Sequence, residues 1–207
     1  MNRDQIWDVI VTERRAVVAL LESLSADEWQ QQSLCSRWTI HDVGAHLTMQ
    51  QMGLSDAFPM MRQWQGSLAR TIAHTARVRA AALTPEQIVT ELRDTAGRRR
   101  RNIGVTRLET LTDVLVHTQD IAIPLGRQHT MPAEAAAECA TRTLSMRWPP
   151  PLPSVRAVAG LRLTATDVDW SAGQGPEVRG PMEALLLTIT GRHVWRDRLS
   201  GEGVARL

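Results

Sequence analysis

Between Asp4 and Leu24 apolar residues recur every three or four positions, at Ile6, Trp7, Ile10, Val11, Val17, Val18, Leu20, Leu21 and Leu24. That stripe predicts a long amphipathic helix. Ser25-Ala26-Asp27-Glu28 has the S-x-x-E form of a capping box and predicts a short helical turn before a loop over 31–37. Thr39 stands three residues ahead of Asp42, with Trp38 as an apolar staple before it, so a second helix is expected to begin near Thr39 and carry His46. It is expected to run to about Phe58, where Pro59 kinks or stops it, with a resumption through Trp64 allowed. A third helix opens at Thr84-Pro85-Glu86-Gln87 and continues towards Arg100. A fourth opens near Thr106, carries Leu108, Leu111, Val114, Leu115, Ile121 and Ile123, and ends at Pro124 to Gly126. A fifth is expected from Pro132 to Trp148. Long helices joined by short links predict an antiparallel four-helix bundle.

The pattern changes after Pro149-Pro150-Pro151-Leu152-Pro153, because consecutive prolines favour an extended linker. Leu161, Leu163, Ala165 and Val168 predict a strand ending at Asp169-Trp170, 173–176 a turn, 177–179 the start of a second strand, and 181–191 a helix. The expected organisation is a bundle over 1–148, a linker over 149–153, and a small α+β segment over 154–207 that packs on the bundle because it is too short to hold a core alone. The fold class is mainly α.

Composition adds little to this picture and removes several alternatives. The 207 residues are 43% hydrophobic and 22% charged, an ordinary globular balance. The net charge of +2 and pI near 9.0 look basic, but all 24 basic residues are arginine and tyrosine is absent too. Such usage points to a G+C-rich genome, so nucleic acid is not an expected partner. The Arg98–Arg101 run falls at the expected end of the third helix, where cations complement the carbonyl end of the dipole. Cys35 and Cys139 are far apart, no secretory leader precedes them, and no apolar run approaches the roughly 18 residues of a membrane span. A cytoplasmic protein with free thiols and no membrane contact is expected.

Candidate chemistry centres on Asp113 and His117, four apart on the fourth helix and therefore on one face. A carboxylate and a neutral imidazole suit a divalent first-row metal, and catalytic zinc takes three protein ligands with a further position open. His46 is the natural third ligand if the second and fourth helices face each other. By spacing alone, a surface helix pair and a hydrogen-bonded core histidine are the commoner readings, and resemblance is what favours a metal.

The segment Trp38-Thr39-Ile40-His41-Asp42-Val43-Gly44-Ala45-His46-Leu47, followed by Asp113-Val114-Leu115-Val116-His117-Thr118-Gln119-Asp120, resembles the DinB-like metal-binding bundles. It is most similar to their actinobacterial branch, the mycothiol-dependent maleylpyruvate isomerase family. The stretch 175–181, then Leu185-Leu186-Leu187 and Thr190-Gly191-Arg192, resembles that family's C-terminal sterol-carrier-like domain, in abbreviated form. The resemblance implies a metal held by His46, Asp113 and His117, with aspartate standing where the isomerases proper carry glutamate. Zinc is the default; nickel, manganese and iron stay open. It also implies mycothiol as cosubstrate, its thiol deprotonated at the metal and adding to a small conjugated carbonyl electrophile, with the protein acting as a transferase or an isomerase. Arg192 matches an arginine the family uses at an anionic substrate; a helix-end arginine complementing the dipole is the other reading. A metal-dependent hydrolase and a non-catalytic small-molecule-binding protein are the alternatives, as monomer or homodimer.

Neighbouring residues have simpler readings. Asp42 serves the helix cap before it serves His46, and Asp120 either orients His117 or is a solvated helix carboxylate. Cys35 reads as a small buried residue. Trp7, Trp38 and Trp64 read as core, and His41, His74, His129 and His193 have no partner at ligand spacing.

Overall fold

A computed structural model of the chain describes residues 1–53, 62–147 and 152–207. Among these the chain divides into two compact units, one spanning Asp4–His129 and the other Thr130–Leu207 with Met1–Arg3. The division falls ahead of the proline run chosen from sequence. The segment expected at Phe58 and Pro59, the expected end of the fifth helix at Trp148, and residues 149–151 of the proline linker lie outside the described residues.

Among the described residues the larger unit is built from helices, with one isolated β-bridge between Gln32 and Thr39. Helix α1 (Arg3–Glu22) buries Ile6, Trp7, Ile10, Val17, Val18 and Leu21 along one stripe, and Glu13 and Arg14 occupy the same stripe between them. Helices α2 (Ala26–Gln30), α3 (Ile40–Thr48), α5 (Pro85–Ala96) and α6 (Arg107–Ala122) each start at a complete capping box, from Ser25, Thr39, Thr84 and Thr106. In each box the hydroxyl takes one orphan backbone N–H and the acidic or amide side chain three residues on takes another, contributing about 1 kcal/mol per helix start. Asp42 is thus committed to the cap of α3, accepting from the Thr39 N–H at 2.9 Å.

Several expectations are corrected. Helix α3 stops at Thr48 and tightens into a 3-10 turn over Met49–Gln51, well short of Phe58. Helix α5 ends at Ala96, so the arginine run follows the helix, and Arg99 spans to Asp4 and Asp8 at 2.9 and 2.7 Å. A helix absent from the sequence reading, α4 (Leu68–Ala82), lies between them. It buries only Thr71, Ala76 and Ala80, too small a face to make an apolar stripe, and those small residues let it pack closely on α3. Trp64 is 58% exposed and is not core.

Helix α3 packs on α2, α4, α5 and α6. Gly44 sits at its tightest point: a Cβ there would stand 3.0 Å from Trp29 Cζ3 and 3.3 Å from Ile88 Cγ2. A Gly44→Val variant is therefore expected to lose about 1–3 kcal/mol, since both neighbours are buried and must shift. An unchanged urea midpoint would show that Trp29 moves aside freely.

In the smaller unit α7 (Ala133–Ser145) presents Ala135, Ala136, Cys139 and Ala140, and the Leu185–Leu187 helix α9 (Met182–Ile189) packs against it. The turn α8 (Pro153–Ala157) precedes a three-stranded sheet in the order β2-β1-β3. Strand β1 (Arg162–Ala165) pairs antiparallel with β2 (Ser171–Ala172) and parallel with β3 (Glu177–Gly180). The expected single strand to Val168 is thus interrupted after Ala165. Gly173, at φ 78°, lies so close that a Cβ would be 2.2 Å from the Leu161 carbonyl oxygen; only glycine lets the chain cross there.

Candidate metal centre

Helix α3 carries His46 in its last turn, and α6 carries Asp113 and His117 one turn apart on a common face. Because α3 packs on α6, the three side chains meet inside the larger unit. Asp113 Oδ1 lies 3.3 Å from His46 Nε2 and 3.4 Å from His117 Nε2. These two nitrogen-to-oxygen spacings match edges of a tetrahedron around an ion, where ligands at about 2.0–2.2 Å stand roughly 3.3–3.6 Å from one another, and all three ligand atoms lie within 4.8 Å of one another. The donor set suits a divalent first-row metal. The histidine side chains are 13% and 12% exposed and the Asp113 side chain 32%, so the site opens to solvent on the aspartate side.

The surroundings hold these groups in place. Asp120 is fully buried, and its Oδ2 lies 2.8 Å from His117 Nδ1. A carboxylate accepting the Nδ1 proton leaves the Nε2 lone pair directed at the site, which is how metal-ligating histidines are commonly oriented. The sequence left Asp120 open between this role and a solvated one; burial decides for the first. His46 has no such partner, its Nδ1 being buried without a hydrogen bond among the described residues. The Trp38 ring, 5.2 Å from the His46 ring and 6.1 Å from that of His117, walls both imidazoles instead.

Cys35 is also corrected. It is partly exposed, and its Sγ donates to Asp120 Oδ2 at 3.0 Å and lies 3.8 Å from His117 Nδ1. Cys35, His117 and Asp120 thus form a second group of ligand-type side chains among the described residues. The 2.8 Å contact within it is hydrogen-bond spacing, which favours a network supporting His117 over a second ion. Nothing in the spacing of Cys35 along the chain signals this place; the loop reaches it because the Leu34 N–H donates to the Asp120 carbonyl at 3.1 Å.

Electrostatics couple the cluster. Burial alone would raise the Asp113 pKa, but the charges of His46 and His117 and hydrogen bonds to both outweigh it and hold the carboxyl well below its ordinary value. Burial likewise disfavours charged His117, yet Asp113 above all, with Asp120 and Cys35, lifts its pKa well above the usual imidazole value. Two further residues escaped the sequence reading. Gln50 donates to Asp113 Oδ2 at 2.7 Å, and Arg14 donates to Gln50 Oε1 at 3.1 Å. Burial lowers the Arg14 pKa to about 10 against the pull of Asp113, leaving it charged at neutral pH. Their only trace in the sequence is an arginine at a stripe position of α1.

Two of the remaining histidines have other partners: His129 meets buried Glu13 at 2.8 Å, and His41 lies 3.0 Å from the Leu83 carbonyl. Arg192 belongs to the smaller unit, where its guanidinium donates to the Thr190 carbonyl at 2.7 Å just past the end of α9, a contact suited to a helix terminus.

A protein-family model described as the mycothiol maleylpyruvate isomerase N-terminal domain matches residues 10–122, more than half of the chain and all three candidate ligands. No curated protein matches. Among solved structures, the crystal structure of the mycothiol-dependent maleylpyruvate isomerase aligns with a TM-score of 0.59 at 14% identity, covering 98% of this chain and 93% of that one. A histidine-to-alanine variant of that isomerase aligns with a TM-score of 0.61 at 13% identity and the same coverage. At such identities the likeness is one of fold: a helical bundle followed by a small three-stranded α+β segment.

Proposed function

The chain belongs to the mycothiol maleylpyruvate isomerase N-terminal domain family, and from that membership we propose that it is a metal-dependent, mycothiol-using enzyme acting on a small electrophile with a conjugated carbonyl. The thiol adds across the conjugated double bond; the protein acts as an isomerase if the thiol is eliminated after bond rotation, or as a transferase if the adduct is released. The observation that carries this reading is the convergence of His46 Nε2 and His117 Nε2 on one oxygen of Asp113.

His46, Asp113 and His117 would hold the ion, with zinc the first candidate and nickel, manganese and iron the others. A divalent ion supplies a lowered thiol pKa, so that a coordinating thiol is deprotonated at neutral pH. The chain's own residues prepare that chemistry. In neutral His117, Asp120 holds the one ring proton on Nδ1 and leaves Nε2 free, and Trp38 walls one side of the pair. The partly exposed Asp113 leaves the opposite side for the incoming thiol and electrophile.

The test is consumption of maleylpyruvate, or of a maleimide as a generic electrophile, by zinc-loaded protein with and without mycothiol. Turnover requiring both thiol and metal supports the proposal. Turnover without any thiol would replace it with metal-dependent hydrolysis, and ligand binding unaffected by metal removal would replace it with a binding role.

A further inference from the structure

Asp113 presents its two oxygens to different partners. Oδ1 is the atom nearest both imidazole Nε2 groups, whereas Oδ2 accepts the Gln50 amide at 2.7 Å. Gln50 sits on the 3-10 turn that follows α3 and is 6% exposed. An amide has a donor end and an acceptor end, and Arg14 settles which end faces Asp113. The guanidinium is a donor only, so Arg14 Nε–H requires the Gln50 oxygen and turns the NH2 group towards the carboxylate. Arg14 is itself held, because its other nitrogens donate to the carbonyls of Arg98 and Arg100 at 3.0 and 3.3 Å. These carbonyls lie just beyond the end of α5, where the chain leaves the helix.

Resting on the metal reading of the site, we propose that Gln50, oriented by Arg14, is a positioning residue that engages one oxygen of Asp113 and makes the aspartate a one-oxygen ligand. Its function is to keep the coordination number low, leaving positions for exchangeable ligands. Without the amide, Oδ2 is free to swing towards the ion and take one of those positions.

Cobalt(II) is the probe, because its visible d–d bands report coordination number as well as binding. In the full-length protein Gln50→Met keeps the volume and removes the donor. It is expected to weaken Co2+ binding roughly ten- to a hundredfold, as loss of an outer hydrogen-bond partner does, and to reduce the d–d intensity as a further oxygen coordinates. Arg14→Lys should shift both readouts in the same direction. Acting through Gln50, it should add no more than about twofold to the affinity loss of Gln50→Met in the double variant. Far-UV circular dichroism checks folding, and if Arg14→Lys does not fold, Gln50→Met decides alone. Wild-type affinity and spectrum in Gln50→Met would overturn this inference and leave the metal centre standing, as would fully additive affinity losses. A wild type that takes up no Co2+ overturns both together.

Discussion

Alanine at His117 is expected to abolish metal binding at the proposed centre. In the proposed centre His117 supplies one of three converging ligand atoms and would link the ion to the buried Asp120, so its removal takes away a ligand and leaves Asp120 with no imidazole to orient. Losing an outer partner alone typically costs roughly ten- to a hundredfold in affinity, and losing a ligand costs more. Elemental analysis after dialysis should find near-stoichiometric metal in the wild type and almost none in His117→Ala or His46→Ala. Mycothiol-dependent turnover should disappear with it. The wild type should also show a pH dependence of defined sign. His117 holds a proton above the ordinary imidazole range, so the ion must displace that proton, and affinity should fall about tenfold per pH unit below its pKa for each proton expelled. Equal metal in all three proteins, or no uptake of zinc, nickel, manganese or iron by the wild type, would reduce the cluster to an ion-paired helix contact.

Asp120→Ala should have the next largest effect, although Asp120 lies behind His117 and is not one of the three proposed ligands. Its carboxylate is 0% exposed and accepts from His117 Nδ1 and from Cys35 Sγ. Alanine removes that acceptor from both donors in the interior, which destabilises the fold by about 1–3 kcal/mol. It also frees the imidazole to adopt either tautomer, and zinc affinity is expected to fall roughly ten- to a hundredfold. Asp120→Asn retains an acceptor oxygen and should recover part of the affinity. Competition titration against a chromophoric chelator reads the first effect and thermal unfolding of the metal-free protein the second. If Asp120→Ala destabilises the protein while leaving zinc affinity at the wild-type value, the carboxylate serves packing only.

The parts of this fold that were legible beforehand rest on interactions between residues close in sequence. Capping boxes at Ser25, Thr39, Thr84 and Thr106 operate within four residues, so four helix starts could be read directly. The same holds for Asp113 and His117, which one helical turn places on a common face. The tryptophan-to-histidine motif around His46 carried the family, since the matching family model covers it. Helix α4 was missed because its buried face is made of Thr71, Ala76 and Ala80, side chains whose burial depends on how near α3 comes and not on their own hydrophobicity. Helix α7 was grouped with the bundle by its position before the prolines, yet its alanine face packs with the leucines of α9.

By itself, then, the sequence determined the four capped helix starts of the larger unit, the stripe of α1, the pairing of Asp113 with His117, and the family. Only the tertiary structure decided that His46 faces that pair, that Asp120 is buried beneath His117, that Cys35 joins them, and that Arg14 turns Gln50 onto Asp113. The physical reason is range. Caps and helical faces follow from backbone geometry over three or four residues. The burial of a polar side chain and the identity of its partner depend on which helix faces meet, and those contacts join Arg14 to Gln50 and Gln50 to Asp113 across 36 and 63 residues of chain.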